Sequence, residues 1–364
     1  MSGVLALLAD VQDPAVSRWA AELSRRGWEV HVLSLQMGGI PGVEVHALMP
    51  RLAGQLGKAM LARQVRGLVD HLHPDVVHVF GGSLYGALAR PLADYPLIVS
   101  VSDEDVRILH HWEPFRRREL LRILGEADRL ITPSHAMAHM VGTQLPGPKP
   151  EVIPFGVDLA HFTPGEEPEV PTIGCTLPLE ADSGLEYLIC ALRLIVQRNP
   201  NRPLRLLLGG EGDERDALDA LSRELAMATR TSLVGFIPPD ERPKFLRGLT
   251  IYVMPVLRDL DGFAQTAMEA ASCALPVVSS WVGGLGEVVL DEVNGLLVPP
   301  KDPDLLADAI ERLLDDASLR TEMGANGRAL IRTSYDWRQN VARMEALYQE
   351  IADQQPRAHD YLID

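Results

Sequence analysis

Val253-Met254-Pro255-Val256-Leu257-Arg258-Asp259-Leu260-Asp261-Gly262-Phe263-Ala264-Gln265-Thr266-Ala267-Met268-Glu269-Ala270 reads as a short apolar strand, a loop, and a helix beginning near Phe263. Asp261 and Glu269 stand eight positions apart, roughly two helical turns if the helix starts early. That places one carboxylate at the helix mouth and the other inside, on a similar side. The free amides of Gly262, Phe263 and Ala264 would point at whatever occupies the mouth. Such a mouth could grip a sugar hydroxyl, a phosphate and a ribose together. Taken alone, the pair is read more economically as a helix cap followed by a solvated glutamate.

Working outward, the same strand–helix alternation runs from end to end. Val4–Leu8, Glu29–Leu35, Asp75–Phe80 and Leu97–Val101 are short, β-branched-rich runs of the kind found in buried parallel strands. Helical periodicity separates them over Ala15–Arg26, Gly57–Leu72 and Glu113–Gly125. The pattern pauses at Pro154-Phe155-Gly156-Val157-Asp158 and the polar Thr163–Pro168 stretch, which reads as a linker. It restarts with strands at Pro171–Cys175, Leu204–Leu208, Ser232–Val234, Ile251–Met254 and Pro276–Ser279, and a last helix spans Trp337–Ile351. The expectation is an α/β protein of two doubly wound, Rossmann-like domains, residues 1–155 and 156–335. Residues 336–364 would form a C-terminal helix. Ligands in such sheets bind at loops beyond the strand carboxyl ends, which here can face each other across a cleft.

Composition narrows the function classes. The 364 residues are 46% hydrophobic and 23% charged, as in ordinary globular chains, which excludes a disordered or collagen-like protein. No apolar run is long enough to span a bilayer, and Met1–Leu8 meets Asp10 at once, so it reads as a buried strand and not a signal peptide. Cys175, Cys190 and Cys273 are far apart, which suits neither a disulfide framework nor a zinc site. His78, His110 and His111 lack metal-ligand spacing, and His78 reads as packed. A cytoplasmic location with no metal is expected. The net charge of −16 is uneven: residues 1–155 carry 15 Lys and Arg against 16 Asp and Glu, and the remainder 19 against 34. Nucleic acid is therefore an unfavoured partner.

A second glycine-bearing turn, Leu206-Leu207-Leu208-Gly209-Gly210-Glu211-Gly212, runs from strand towards helix. It falls short of G-x-G-x-x-G, and a tight turn is its plainer reading. Glu211, Asp213 and Glu214 would repel phosphate, so a ribose or base contact suits it better.

The Asp261-x7-Glu269 segment resembles the E-x7-E region of glycosyltransferase family 4, retaining enzymes of GT-B fold that use nucleotide-sugar donors. Other stretches match that family in order. Val152–Asp158 with Phe162 and Pro164 resembles its linker. Pro276–Ser280, Gly283-Gly284, Glu287 and Asn294–Pro299 resemble its distal pattern, and Arg25–Val30 the end of its first helix and second strand. The resemblance implies that Asp261 contacts donor-sugar hydroxyls, where the family usually has Glu. It implies that the backbone of Gly262, Phe263 and Ala264 meets sugar and phosphate, and that Glu269 holds the ribose. Gly210 and the Gly235-Phe236-Ile237 turn would flank the nucleotide, and the helix of residues 336–364 would return to the first domain, as it does in that fold. No cofactor is implied beyond the nucleoside diphosphate sugar as co-substrate, with a carbohydrate or lipid-linked acceptor as second partner.

The departures fall where chemistry is expected. The family's usual Arg and Lys on the diphosphate are replaced by the Gly174–Leu177 and Glu180–Gly184 stretches, with Thr176 and Ser183 as nearest equivalents. Asp10–Pro14 stands in place of the glycine-rich loop after the first strand, and Ser102, with Asp105 following, in place of a His on the acceptor side. Losing one preorganised donor to a developing anion costs about 10²–10³ in rate. Arg258, three residues before Asp261, is the candidate replacement cation, with a solvated loop arginine as the equally weighted plain reading. These losses motivate the rival reading of a GT-B pseudoenzyme that binds a sugar or a partner without transfer; an epimerase on the same fold is a weaker third. Finally, Arg51, Lys58, Arg63 and Arg66 share a stretch with Leu52, Leu56, Met60 and Leu61, and Trp112, Phe115, Arg116, Arg117, Arg118 and Arg122 form a second patch. Such helices admit peripheral contact with the inner face of a membrane, although a packed helix with a solvated basic face is the commoner outcome.

Overall fold

In the computed structural model, residues 3–49, 54–110, 114–145, 149–258 and 263–354 are described, without the side chains of Gln55, His110 and Phe263. Asp261 and Gly262, and Arg51, Leu52, His111 and Trp112 of the earlier readings, lie outside the described residues. The chain divides into two compact units, Met1–Phe155 together with Arg338–Asp364, and Gly156–Trp337.

The first unit runs β1 (Val4–Leu8), α1 (Pro14–Arg25), β2 (Glu29–Ser34), β3 (Glu44–Ala47), α2 (Gly54–Leu72), β4 (Val76–Phe80), α3 (Tyr85–Ala89), β5 (Leu97–Ser100), α4 (Asp103–His110), α5 (Pro114–Gly125), β6 (Arg129–Thr132), α6 (His135–Gly142) and β7 (Glu151–Val152). Its sheet is ordered β3-β2-β1-β4-β5-β6-β7, every ladder parallel. The central strands are buried on both faces, hence their continuous apolar sequence. The loop after β1 needs no glycines. Asp10 accepts from the Gln12 amide at 2.8 Å, and Asp13 caps α1 through the Ala15 amide, with Pro14 at the first helical position.

The second unit runs β8 (Thr172–Thr176), α7 (Leu185–Arg198), β9 (Arg205–Gly209), α8 (Arg215–Glu224), β10 (Thr231–Gly235), α9 (Arg242–Arg247), β11 (Ile251–Met254), α10 (Phe263–Ser272), β12 (Val277–Ser280), β13 (Gly295–Val298), α11 (Pro303–Asp315) and α12 (Ala317–Ser334). Its parallel sheet is ordered β10-β9-β8-β11-β12-β13. The order reverses between β8 and β11, the switch point at whose strand carboxyl ends sheets of this kind bind their ligands. The final helix, α13 (Trp337–Gln354), packs largely on the first unit. Its Tyr348 hydroxyl lies 2.6 Å from His78 Nδ1, and Glu345 accepts from Trp28 Nε1 at 3.1 Å and Arg26 Nη1 at 3.0 Å. His78 is packed, as its strand position suggested. Burial pushes its imidazole down to about 3, so the ring is neutral.

Candidate functional site

At the β8/β11 reversal the two loops are zipped together. The Leu257 amide donates to Asp182 O at 2.9 Å, and the Arg258 guanidinium pairs with the Asp182 carboxylate. Gly184 adopts a positive φ of 62°, and a Cβ there would stand 2.1 Å from Pro255 O, so only glycine lets the chains approach so closely. Beside it Ser183 is buried, its Oγ having no hydrogen-bond partner among the described residues. Thr176 Oγ1 lies 2.8 Å from the Tyr252 hydroxyl, which also accepts from the Thr176 amide at 3.0 Å. Burial pushes the Tyr252 phenol up, which keeps it neutral. Thr176 is thus partly committed to Tyr252, whereas Ser183 has a hydroxyl to spare.

The plain reading of Glu269 as a solvated side chain does not hold. Its residue is 4% exposed, and Arg242 Nη1 on α9 reaches both carboxylate oxygens, at 3.0 and 3.2 Å. Gln265 Nε2, one turn earlier on α10, lies 3.5 Å from Oε1. Burial without a counter-ion would be costly for a carboxylate, and Arg242 supplies that charge. Arg242 escaped the sequence reading because it lies 27 positions from Glu269 and belongs to no motif. Phe263 and Ala264 sit in the first turn of α10, where backbone amides have no intrahelical acceptor.

The remaining site residues divide. Gly210 has φ 151°, and a Cβ there would fall 1.9 Å from Leu177 O; Gly212 is likewise held against Leu179. Both glycines admit the Leu177–Leu179 segment, which is bonded through Leu177 N to Gly209 O (3.0 Å) and Leu179 N to Glu211 O (2.9 Å). That favours the tight-turn reading. Gly235 also has a positive φ, Phe236 is exposed, and Ile237 is buried over Gly209. In the first unit Asp105 corrects the expectation of a group facing an acceptor. It is 0% exposed, and its carboxylate accepts from the amides of Gly82 (2.8 Å), Ser83 (2.7 Å) and Ser102 (2.9 Å). Ser102 Oγ returns a bond from the Asp105 amide at 3.3 Å, a capping box that starts α4. Asp105 therefore positions the loops after β4 and β5.

Two doubly wound units, each with a parallel sheet, define the two-domain Rossmann-like class known as the GT-B fold. The family models for "Glycosyl transferases group 1" and "Glycosyltransferase Family 4" match residues 160–330 and 15–161, and the chain belongs to this family of glycosyltransferases. An uncharacterized glycosyltransferase of Methanocaldococcus jannaschii is 34% identical over 165 residues, 45% of this chain and 41% of that protein. A D-inositol 3-phosphate glycosyltransferase of Corynebacterium urealyticum is 26% identical over 95% of this chain and 87% of its own length. Among solved structures, sucrose-phosphate synthase of Thermosynechococcus elongatus superposes with a TM-score of 0.82 at 21% identity, covering 97% of this chain and all of the other. Anabaena HepE in complex with UDP superposes at 0.78 and 18% identity, over 95% and 99%.

Proposed function

We propose that this chain moves a sugar from a nucleoside diphosphate sugar to an acceptor hydroxyl with retention of configuration. The second unit holds the donor and the first meets the acceptor. The observation that carries the reading is Glu269, a buried carboxylate oriented by Arg242 on the helix that follows β11, the strand at the switch point where such sheets bind nucleotides. In this reading Glu269 takes the ribose hydroxyls, and Asp261 the donor-sugar hydroxyls. Negative charge developing on the leaving diphosphate meets the first-turn amides of α10, the Ser183 and Thr176 hydroxyls, and Arg258. The donor serves as co-substrate, and no step passes through a metal. Gly210 and Gly235–Ile237 border the nucleotide.

HepE is described with UDP and the corynebacterial relative acts on an inositol phosphate, so uridine donors and polyol phosphate acceptors are the first probes. A lipid-linked acceptor at the inner face of a membrane is supported by exposed Leu56 and Met60 on α2 and Phe115 on α5, beside basic residues. Among the described residues, no helix is long and apolar enough to cross a membrane.

One observation favours the second reading, a binding protein without transfer. The Asp182 carboxylate already neutralises Arg258, and Glu180 lies in the same loop. Calorimetric titration with UDP, GDP, ADP and their sugar conjugates tests the first reading. Binding of one nucleotide, weakened at least about tenfold in Glu269→Ala, is expected, since a buried hydrogen bond to a charged group is worth about 1.5–3 kcal/mol. No binding by a sample that melts cooperatively would overturn it. Binding without turnover of the sugar conjugate would favour the second reading.

A further inference from the structure

The tripeptide Glu-Val-His occurs twice, at Glu29-Val30-His31 and Glu44-Val45-His46. Strand alternation puts the Glu and His of each copy on one face. The copies lie on β2 and β3, adjacent parallel strands whose register sets His31 beside Glu44 and Leu33 beside His46. All four polar side chains are therefore gathered on one face at the edge of the first sheet. Their separation of 13–17 positions in the chain shows nothing of this until β2 and β3 pair.

The distances are those of a coordination site. His31 Nδ1 lies 3.1 Å from His46 Nε2 and 3.5 Å from a Glu44 carboxylate oxygen, and His46 Nε2 lies 3.9 Å from the other Glu44 oxygen. Ligand atoms about 2.0–2.1 Å from a tetrahedral ion stand roughly 3.3 Å apart; the two imidazole nitrogens already have that spacing, and one ligand atom from each residue lies within 4.8 Å of the others, so a turn of the exposed Glu44 side chain closes the triangle. Behind it, His31 Nε2 lies 3.1 Å from Glu29 Oε1. That carboxylate draws the ring proton to Nε2 and leaves the Nδ1 lone pair facing His46, as a carboxylate behind a metal-bound histidine does. His31 is buried and held in place, whereas the Glu44 side chain is 67% exposed, so the cluster opens outward. Burial holds the His46 imidazole below its usual range, which favours the neutral ligand form.

We propose that these residues bind one divalent cation of the zinc class, with His31 Nδ1, His46 Nε2 and a Glu44 oxygen as ligands and water or an exogenous group in the fourth position. The ion staples the edge strand β3 to β2 and replaces the single proton that otherwise bridges the two imidazoles. The site lies in the first unit, and the transfer chemistry above makes no use of it.

The test is Co²⁺ titration of the EDTA-stripped full chain, followed by visible absorbance and by displacement with Zn²⁺. One equivalent with four-coordinate d–d bands, displaced by Zn²⁺, is expected. Glu29→Gln should weaken binding roughly 10–100-fold, the usual effect of losing a carboxylate behind a histidine ligand. His46→Ala and Glu44→Gln, on partly exposed side chains whose loss leaves the core intact, should abolish stoichiometric binding while the melting temperature of the stripped protein is retained. Absence of saturable binding in the parent chain, or equal binding in His46→Ala and Glu44→Gln, would overturn the proposal.

Discussion

Arg242→Met strands the Glu269 carboxylate. Breaking a fully buried ion pair costs about 3–5 kcal/mol, because the remaining charge keeps its desolvation penalty. Here the Arg242 side chain is 26% exposed and the Gln265 amide stands 3.5 Å from Oε1, so water and a neutral donor recover part of that cost. A loss of about 2 kcal/mol is the resulting expectation. For a unit of this size it lowers the corresponding melting transition by about 4–8 °C. Glu269→Gln removes the stranded charge and keeps the volume. The double variant should therefore be more stable than the sum of the singles implies, with a coupling of at least about 1 kcal/mol. The assay is urea unfolding of the four proteins at neutral pH, with the second unit followed separately because two units need not unfold together. Additivity within about 0.5 kcal/mol would refute the reasoning and return Glu269 to solvent. Arg242→Lys separates fold from function: it keeps the charge but not the planar fork, so it should retain most of the stability and bind the nucleotide less tightly.

Two further outcomes rest on the first unit. His78 titrates near 6.5 in an unfolded chain and about 3 when buried, so the unfolded state takes its proton first and stability falls as pH drops from 6.5 towards 3. Between pH 7 and pH 4 the loss is about 3 kcal/mol; His78→Gln should flatten that part of the urea-midpoint profile, and an unchanged slope would refute the assignment. Phe115 is 90% exposed on a helix with four arginines, so Phe115→Asp should reduce sedimentation with anionic vesicles at low salt several-fold; equal sedimentation would remove the membrane contact.

The alternation of apolar runs and amphipathic helices was legible because a strand buried on both faces must be apolar throughout, and a helix over a sheet must be striped. Ile251–Met254 coincides with its expected strand, and most others lie within a residue or two. The short elements were not legible. β3 carries Glu44 and His46 and β7 has two residues, so neither shows a buried pattern. Their pairing comes from neighbours already in place. At the candidate site, Glu269, Ser183 and Gly210 were legible as positions through motif and resemblance, but their surroundings were not.

From the order of residues alone came the fold class and the position of the β11–α10 segment, since these follow from local periodicity and from which residue types are present. Tertiary structure alone decided that Glu269 is buried against Arg242, that Arg258 is engaged by Asp182, and that Asp105 faces inward onto three amides. It also decided that two Glu-Val-His tripeptides share one face. Apart from the local Ser102–Asp105 cap, each of these joins groups far apart along the chain. Their partners are set by strand order and register, which no local pattern encodes.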